Sequence, residues 1–476
     1  AQFNTLDDAT SSAIVLTGGV SDVAASYAAA DGTTTSGLTA IKAQDGDAAL
    51  TVTDAATVAQ LVTINNATSG AITLQAVSGA LSGTASNLDA AFAGTITQYT
   101  GDLTISDAAS ISELNNLNNA TNGTVTYTAL SDTAAALVPS GTISNYVTSN
   151  HTVTVQDQVS LSQLIAINAA TAGAITLNVT SGTLSGTAAE LNSAFGGTIT
   201  EYTGALTATG SAANLSQAEV IFNATSGTST YAVADLANTL AVAPGSATQM
   251  AALKNASSVT ANASALQTTI DMSGFSGDNS VNLVINGNSF GNTVTGGDGN
   301  DTIDAAGGGD TIYGGLGDDN ITSGSGSDIH VFSTTLSLNG SDTVADFAAA
   351  TDTVLFLFGG SGEVASNAAL RGNGSEYLEI ASSGALGTNS GVVVITDTQS
   401  DLTASTARTL AEGLTGEAAD DMFYLVFDNG SNTALYRVAD TNSDATSFET
   451  AELIVTLQGI TNADDTLDSS VFTNFG

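Results

Sequence analysis

The sequence predicts a mainly β chain built from repeats. An array of short strands and helices is expected over residues 1–250, a tightly coiled parallel β segment over 251–360, and a C-terminal β domain over 361–476. Three observations carry this expectation. Four segments of similar length align on one strand–helix template. Five consecutive nine-residue units rich in Gly and Asp fill residues 287–331. Beyond them, short apolar runs alternate with Gly-, Asn- and Asp-rich turns, the punctuation of β-structure.

The array comes first in the chain. Leu50-Thr51-Val52-Thr53-Asp54, Leu103-Thr104-Ile105-Ser106-Asp107, Val153-Thr154-Val155-Gln156-Asp157 and Leu206-Thr207-Ala208-Thr209 open its four copies. Gly70, Gly123, Gly173 and Gly227 close the first helical stretch of each, at spacings of 53, 50 and 54. Leu81-Ser82-Gly83-Thr84-Ala85 recurs as Leu184-Ser185-Gly186-Thr187-Ala188, an offset of 103, so the deeper period is a doublet. Each copy reads as strand, short helix, strand, second short helix. Ile111, Leu114 and Leu117 share one helical face. Ser110 and Glu113 are spaced as a capping box, and the Asn-rich run before Gly123 reads as a helix stop. Such units favour parallel pairing and stacking into a solenoid or a string of small domains. Residues 9–16 resemble residues 67–74, so the array is expected to start inside a copy. Pro139 and Pro244 are expected to follow repeat strands, with Pro244-Gly245 ending the array.

The nine-residue units carry the chemistry. Gly296-Gly297-Asp298-Gly299-Asn300-Asp301-Thr302-Ile303-Asp304 returns two units later as Gly314-Gly315-Leu316-Gly317-Asp318-Asp319-Asn320-Ile321-Thr322. Residues 305–313 hold Gly308, Asp310 and Ile312 in register, and residues 323–331 hold Gly324, Gly326 and Asp328. In residues 287–295, Asn292 takes the Asp position and Val294 the apolar one. A flexible Gly/Asp-rich loop predicts no such register. Glycines permit the positive φ of a tight turn, and the apolar residue at position eight points inward from a short strand. One turn and one strand make half a coil, so two units make one coil. Asp301 then lies beneath Asp319, Asp310 beneath Asp328, and Asn292 beneath Asp310. Stacked carboxylates repel unless a cation separates them, and no Lys or Arg occurs in the stretch. Calcium takes six to eight oxygens, including the backbone carbonyls that glycine turns expose. The expected metal set is Asn292, Gly296, Asp298, Gly299, Asp301, Gly308, Asp310, Gly315, Gly317, Asp319 and Asp328, with Ca2+ as the cofactor. Asp310 and Asp319 are expected to matter most, and Asp298 and Asp318 to be solvated.

These nonapeptides resemble the RTX family, whose repeats form a calcium-binding parallel β-roll. The resemblance spans about residues 260–476 and is specific only in the nonapeptides. It implies a secreted, extracellular bacterial protein with an uncleaved C-terminal signal for type I secretion, which the tail Val471-Phe472-Thr473-Asn474-Phe475-Gly476 resembles. Residues 270–275 look like an irregular coil that caps the roll, because the end coils of a solenoid expose edges and apolar faces. His330 reads as a satisfied strand residue rather than a ligand. In the C-terminal part, residues 422–427, 434–438 and 452–457 read as strands and 403–412 as a helix. Asp440-Thr441-Asn442-Ser443-Asp444 lacks the Gly and distal Glu of an EF-hand and reads as an exposed turn.

Composition excludes several classes. Net charge is −41, with five basic residues against 46 acidic ones, so nucleic acid is not an expected partner. Apolar content of 42% against 11% charged residues argues for a folded chain rather than an acidic disordered one. There is no Cys, and no apolar run long enough to span a bilayer. No cleavable signal is expected in the sequence. Two His, His151 and His330, cannot make a zinc-protease ligand set. No Gly-x-Ser-x-Gly elbow occurs, and no carboxylate pair stands beside aromatic platforms. The expectation is a non-enzyme: a calcium-dependent, self-assembling surface protein resembling RTX S-layer proteins, with an adhesin as the alternative. The expected partner is a second copy of the chain, with cell-surface polysaccharide as a further one. Asn66 and Asn119 begin Asn-x-Thr acceptor patterns.

Overall fold

The computed structural model describes residues 14, 16–148, 150–333, 339–357, 376–380, 382–385, 390–415, 422–440, 448–463, 467 and 471–473. Residues 9–13 and 15 of the repeat-like start, 441–444 of the Asp440 turn, and 474–476 of the tail lie outside these. The chain divides into two units, Ala1–Thr207 with Ala224–Thr228, and Ala208–Asn223 with Ser229–Gly476.

In the first unit, the strands pair in parallel from each coil to the next. Leu81 pairs Leu103 and Leu103 pairs Val125, two steps of 22. Leu130 pairs Val153, a step of 23, and Val153 pairs Ile175, a step of 22. Each repeat read from the sequence is therefore two coils, and each coil carries one helix. The doublet is visible in the elements. The helices Val58–Asn65 and Leu161–Ala170 start 103 apart, as do Ala85–Phe92 and Ala188–Phe195, and Ala134–Leu137 and Ala237–Leu240.

Local chemistry explains the template. Thr57, Thr84, Ser110, Thr133, Ser160 and Thr187 cap their helices by accepting the N3 amide, and the expected Ser110–Glu113 box is formed. In the first three copies, the Asp that ends the opening segment accepts the first helical amide of the neighbouring coil. Asp54 takes Ala24 N–H at 2.6 Å, Asp107 takes Ala85 N–H at 2.7 Å, and Asp157 takes Ala134 N–H at 2.7 Å. A negative charge at a helix N-terminus is favoured by the helix dipole.

The closing glycines have an equally specific cause. Thr68, Thr121, Thr171 and Thr225 each donate Oγ1 to a carbonyl one coil back and accept the amide of the glycine two positions on. A Cβ on Gly123 would collide with Gly101 O, and one on Gly173 with His151 O. The Asn-x-Thr pattern at Asn66 and Asn119 thus places its threonine in an inter-coil bond. The prolines differ from expectation. Pro139 starts a 3-10 turn after the helix Ala134–Leu137, and Pro244 sits in one after Ala237–Leu240, so both follow short helices.

The second unit is organised by two parallel sheets whose strands alternate along the chain from Val259 to Leu357. One runs through Val233–Leu236, Val259–Asn262, Leu283–Asn288, Thr302–Ala306, Asn320–Thr322 and Asp342–Val344. The other runs through Thr269–Asp271, Thr293–Thr295, Thr311–Tyr313, Ile329–Ser333 and Thr353–Leu357. Crossing from sheet to sheet and back makes a β-roll. Its central coil is the predicted pair of nonapeptides: Ile285 pairs Ile303 and Ile303 pairs Ile321, while Val294 pairs Ile312 and Ile312 pairs His330. Val294, Ile303, Ile312 and Ile321 are all buried between the sheets. Each contributes about 1.5–3 kcal/mol by burial.

The first sheet does not stop at the roll. Asp342–Val344 pairs in parallel with Thr450–Gln458, which continues antiparallel into Asn432–Ala439 and Met422–Asp428. The helix Ala404–Gly413 buries Ala407, Leu410 and Ala411 against Phe423, Phe427 and Tyr436 of these strands. The second sheet ends on Phe472–Thr473, where Val354 pairs Phe472.

Candidate metal centre

The turns that join the two sheets stack their carboxylates into two columns. In one, Leu283 N–H donates to Asp301 Oδ1 at 2.8 Å, Asp301 N–H to Asp319 Oδ1 at 2.8 Å, and Asp319 N–H to Asp342 Oδ1 at 3.0 Å. In the other, Asn292 N–H donates to Asp310 Oδ1 at 2.6 Å, Asp310 N–H to Asp328 Oδ1 at 2.8 Å, and Asp328 N–H to Asp352 Oδ1 at 3.2 Å. Every carboxylate in these columns is at most 3% exposed.

One oxygen of each carboxylate is thus spent on the register. The second oxygens differ. Asp301 Oδ2 accepts Gly297 N–H at 2.8 Å. The Oδ2 atoms of Asp310, Asp319 and Asp328 are buried with no hydrogen-bond partner. An unpaired buried acceptor costs about 1–3 kcal/mol, and more when it is charged. Burial pushes Asp301 up to about 6 and Asp319 up to about 8, and it raises Asp310 and Asp328 as well. Neighbouring carboxylates of the same column add to the rise, and the backbone N–H bonds oppose it. Such an arrangement asks for a cation.

The glycines make room for one. A Cβ on Gly314 would collide with Asp319 Oδ2, and one on Gly296 would lie 2.8 Å from Asp301 Oδ2. Gly308, Gly315 and Gly317 have φ of 126°, 111° and 110°, values that L side chains avoid. Gly299 and Gly317 stack so closely that a Cβ on Gly317 would come within 2.5 Å of Gly299 O. Among the described residues, no group of three or more His, Asp or Glu side chains gathers at one point. The donor set is therefore stacked carboxylates completed by turn carbonyls. Hard, all-oxygen and anionic, it fits calcium. Asp310, Asp319 and Asp328 would hold the ion through their free oxygens, with carbonyls of the glycine turns as further ligands.

Other expected site residues serve differently. Asn292 ends its column as a neutral group: its Nδ2 donates to Gln267 O at 2.8 Å, which a carboxylate could not do. Asp298 is half-buried and outside both columns, its carboxylate accepting Gly277 N–H at 2.6 Å. Asp318 is exposed but not merely solvated, because it accepts Ser341 N–H at 2.8 Å. His330 is a strand residue in the apolar column, yet neither ring nitrogen has a hydrogen-bond partner. Burial pushes it down to about 4, against the pull of Asp352 and Asp346. Asp342, Asp352 and Gly314 were not in the expected set. For the two aspartates the signal was the triplets Asp342-Thr343-Val344 and Asp352-Thr353-Val354, which repeat Asp301-Thr302-Ile303 and Asp310-Thr311-Ile312, and for Gly314 it was its match to Gly296 two units earlier.

A family model for the RTX calcium-binding nonapeptide repeat, four copies long, matches residues 284–312 and 295–329. No curated protein matches the chain. The nonapeptide repeats are calcium-binding, and the buried donor set fits that ion.

Proposed function

We propose that this RTX-type calcium-binding chain is a self-assembling structural protein of the bacterial cell surface, an S-layer or an extracellular fibre, exported by a type I route and without enzymatic activity. The observation that carries the reading is the buried carboxylate columns in a chain of net charge −41. Copies so acidic repel one another. At physiological salt, screening over about 8 Å softens that repulsion without bridging a contact. Calcium both orders the roll and cross-links carboxylates between copies. The repeated coils of the first unit offer similar surfaces several times, as a propagating contact needs. Among the described residues, no helix is long and apolar enough to cross a membrane.

The test is light scattering and electron microscopy with calcium, with magnesium at equal ionic strength, and with chelator. Sheets or filaments are expected with calcium. Magnesium holds its waters in a strict octahedron and is expected to substitute poorly. Equally monomeric samples in all three would refute assembly. One feature favours an adhesin instead: a cavity of about 480 Å3 in the first unit, lined by Asp89, Phe92, Gln98, Asn116 and Asn119. Its size and its amide-rich wall suit a sugar residue, so glycan binding by a monomeric protein would favour that reading.

A further inference from the structure

The nonapeptide match ends at residue 329, but the carboxylate columns do not. The step between column members is 18 within the repeats and lengthens to 23 from Asp319 to Asp342 and to 24 from Asp328 to Asp352. The strands absorb the extra length and return to register: Ile321 pairs Val344, and His330 pairs Val354. Asp342 and Asp352 are 1% and 3% exposed, as buried as the repeat carboxylates. Each accepts the amide of the column member before it. Their second oxygens are also engaged, Asp342 Oδ2 by Asn339 Nδ2 at 2.8 Å and Asp352 Oδ2 by Ala348 N–H at 2.8 Å. A carboxylate oxygen has two lone pairs, so those bonds orient the groups without exhausting them.

A supporting observation lies one coil earlier. Asp319 Oδ2 and Asp328 Oδ2, both buried and without a hydrogen-bond partner, belong to the last nonapeptide member of each column. Their next neighbours along the columns are Asp342 and Asp352. We infer that each column carries a closing calcium rung past the repeats, Asp319 with Asp342 and Asp328 with Asp352. The strands behind these rungs are the docking strands of the C-terminal chain. Asp342 pairs Val455, and Val354, two positions after Asp352, pairs Phe472. Closing the rungs therefore fixes the strands on which Thr450–Gln458 and Phe472–Thr473 assemble.

The inference rests on calcium binding by the repeats, and its test separates the two. Bound calcium is counted by equilibrium dialysis on the full chain, as wild type, Asp342→Asn, Asp352→Asn, the double variant and the surface control Asp304→Asn. Asn keeps the Oδ1 that accepts the column amide. The expected result is one ion fewer for each single variant, two fewer for the double, and no change for the control. In the single variants, amide exchange in the partner strand, Thr450–Gln458 or Phe472–Thr473, should quicken at least tenfold in calcium. An unchanged count in the double variant overturns the closing rungs while leaving the repeat sites standing. A wild type that binds no calcium overturns both. Anomalous scattering from calcium-loaded wild-type crystals needs no variant to fold: peaks beside Asp342 and Asp352 support the inference, and their absence refutes it.

Discussion

Replacing Asp319 by Asn is expected to have opposite effects without and with calcium. Its Oδ1 accepts Asp301 N–H at 2.8 Å, a bond that Asn keeps. Its Oδ2 has no hydrogen-bond partner, and burial lifts the carboxyl from 3.8 to about 8. A group whose folded pKa is raised adds stability below its unfolded pKa and loses it as pH rises through the folded one. At pH 7 about three pH units of that span have been crossed, at about 1.4 kcal/mol each, an upper bound of about 4 kcal/mol. Relaxation and solvent entry reduce this towards the ~1–3 kcal/mol usual for an unsatisfied buried acceptor. Without calcium, the Asn roll should be more stable by that amount. With calcium, the same change removes a charged oxygen from the ion. Affinity should fall at least about 10-fold, the loss that even an outer-shell partner commonly brings. The assay is amide exchange of Thr302–Ala306 and Asn320–Thr322 in the full chain at pH 7, in chelator and along a calcium titration. A shift in the same direction under both conditions would mean that the Asp319 carboxylate does not hold the ion.

Asp310→Asn should weaken calcium binding about 10-fold or more, whereas Asp318→Asn, which keeps its bond to Ser341, should not; equal affinities in the two variants by calorimetry would contradict the columns. Calcium affinity should fall as pH drops from 8 towards 5, because protons compete for carboxyls raised to about 6 and about 8, and a flat pH profile would tell against buried ligands. His330→Leu should stabilise the calcium-loaded roll by about 1–3 kcal/mol by removing two unsatisfied buried nitrogens; destabilisation in urea unfolding would mean that the imidazole holds a partner.

The roll was legible because its period is rigid. A coil of two nonapeptides forces every Asp onto the one before, so register alone placed Asp301, Asp310, Asp319 and Asp328. The same rule hid Asp342 and Asp352. Their coils are longer, with steps of 23 and 24, and only the strand pairing shows that they return to the columns. In the array, the spacing of Gly70, Gly123, Gly173 and Gly227 was readable, but its cause was not. A threonine bond and a carbonyl one coil away are contacts between segments, invisible to local propensity. The predicted capping box at Ser110 succeeded for the opposite reason, since both partners lie within one turn. The fate of Asp298 was unreadable because Gly277 N–H, which it accepts, lies a full coil back in the chain.

Calcium is expected to order the roll by neutralising its buried columns. Amide exchange across residues 287–332 of the full chain, with calcium, with magnesium and with chelator, tests it most directly. Strong protection of Thr302–Ala306, Thr311–Tyr313 and Asn320–Thr322 is expected in calcium alone, appearing at about 0.1–1 mM, the range of weak extracellular calcium modules. Equal protection of these strands in excess chelator would contradict it.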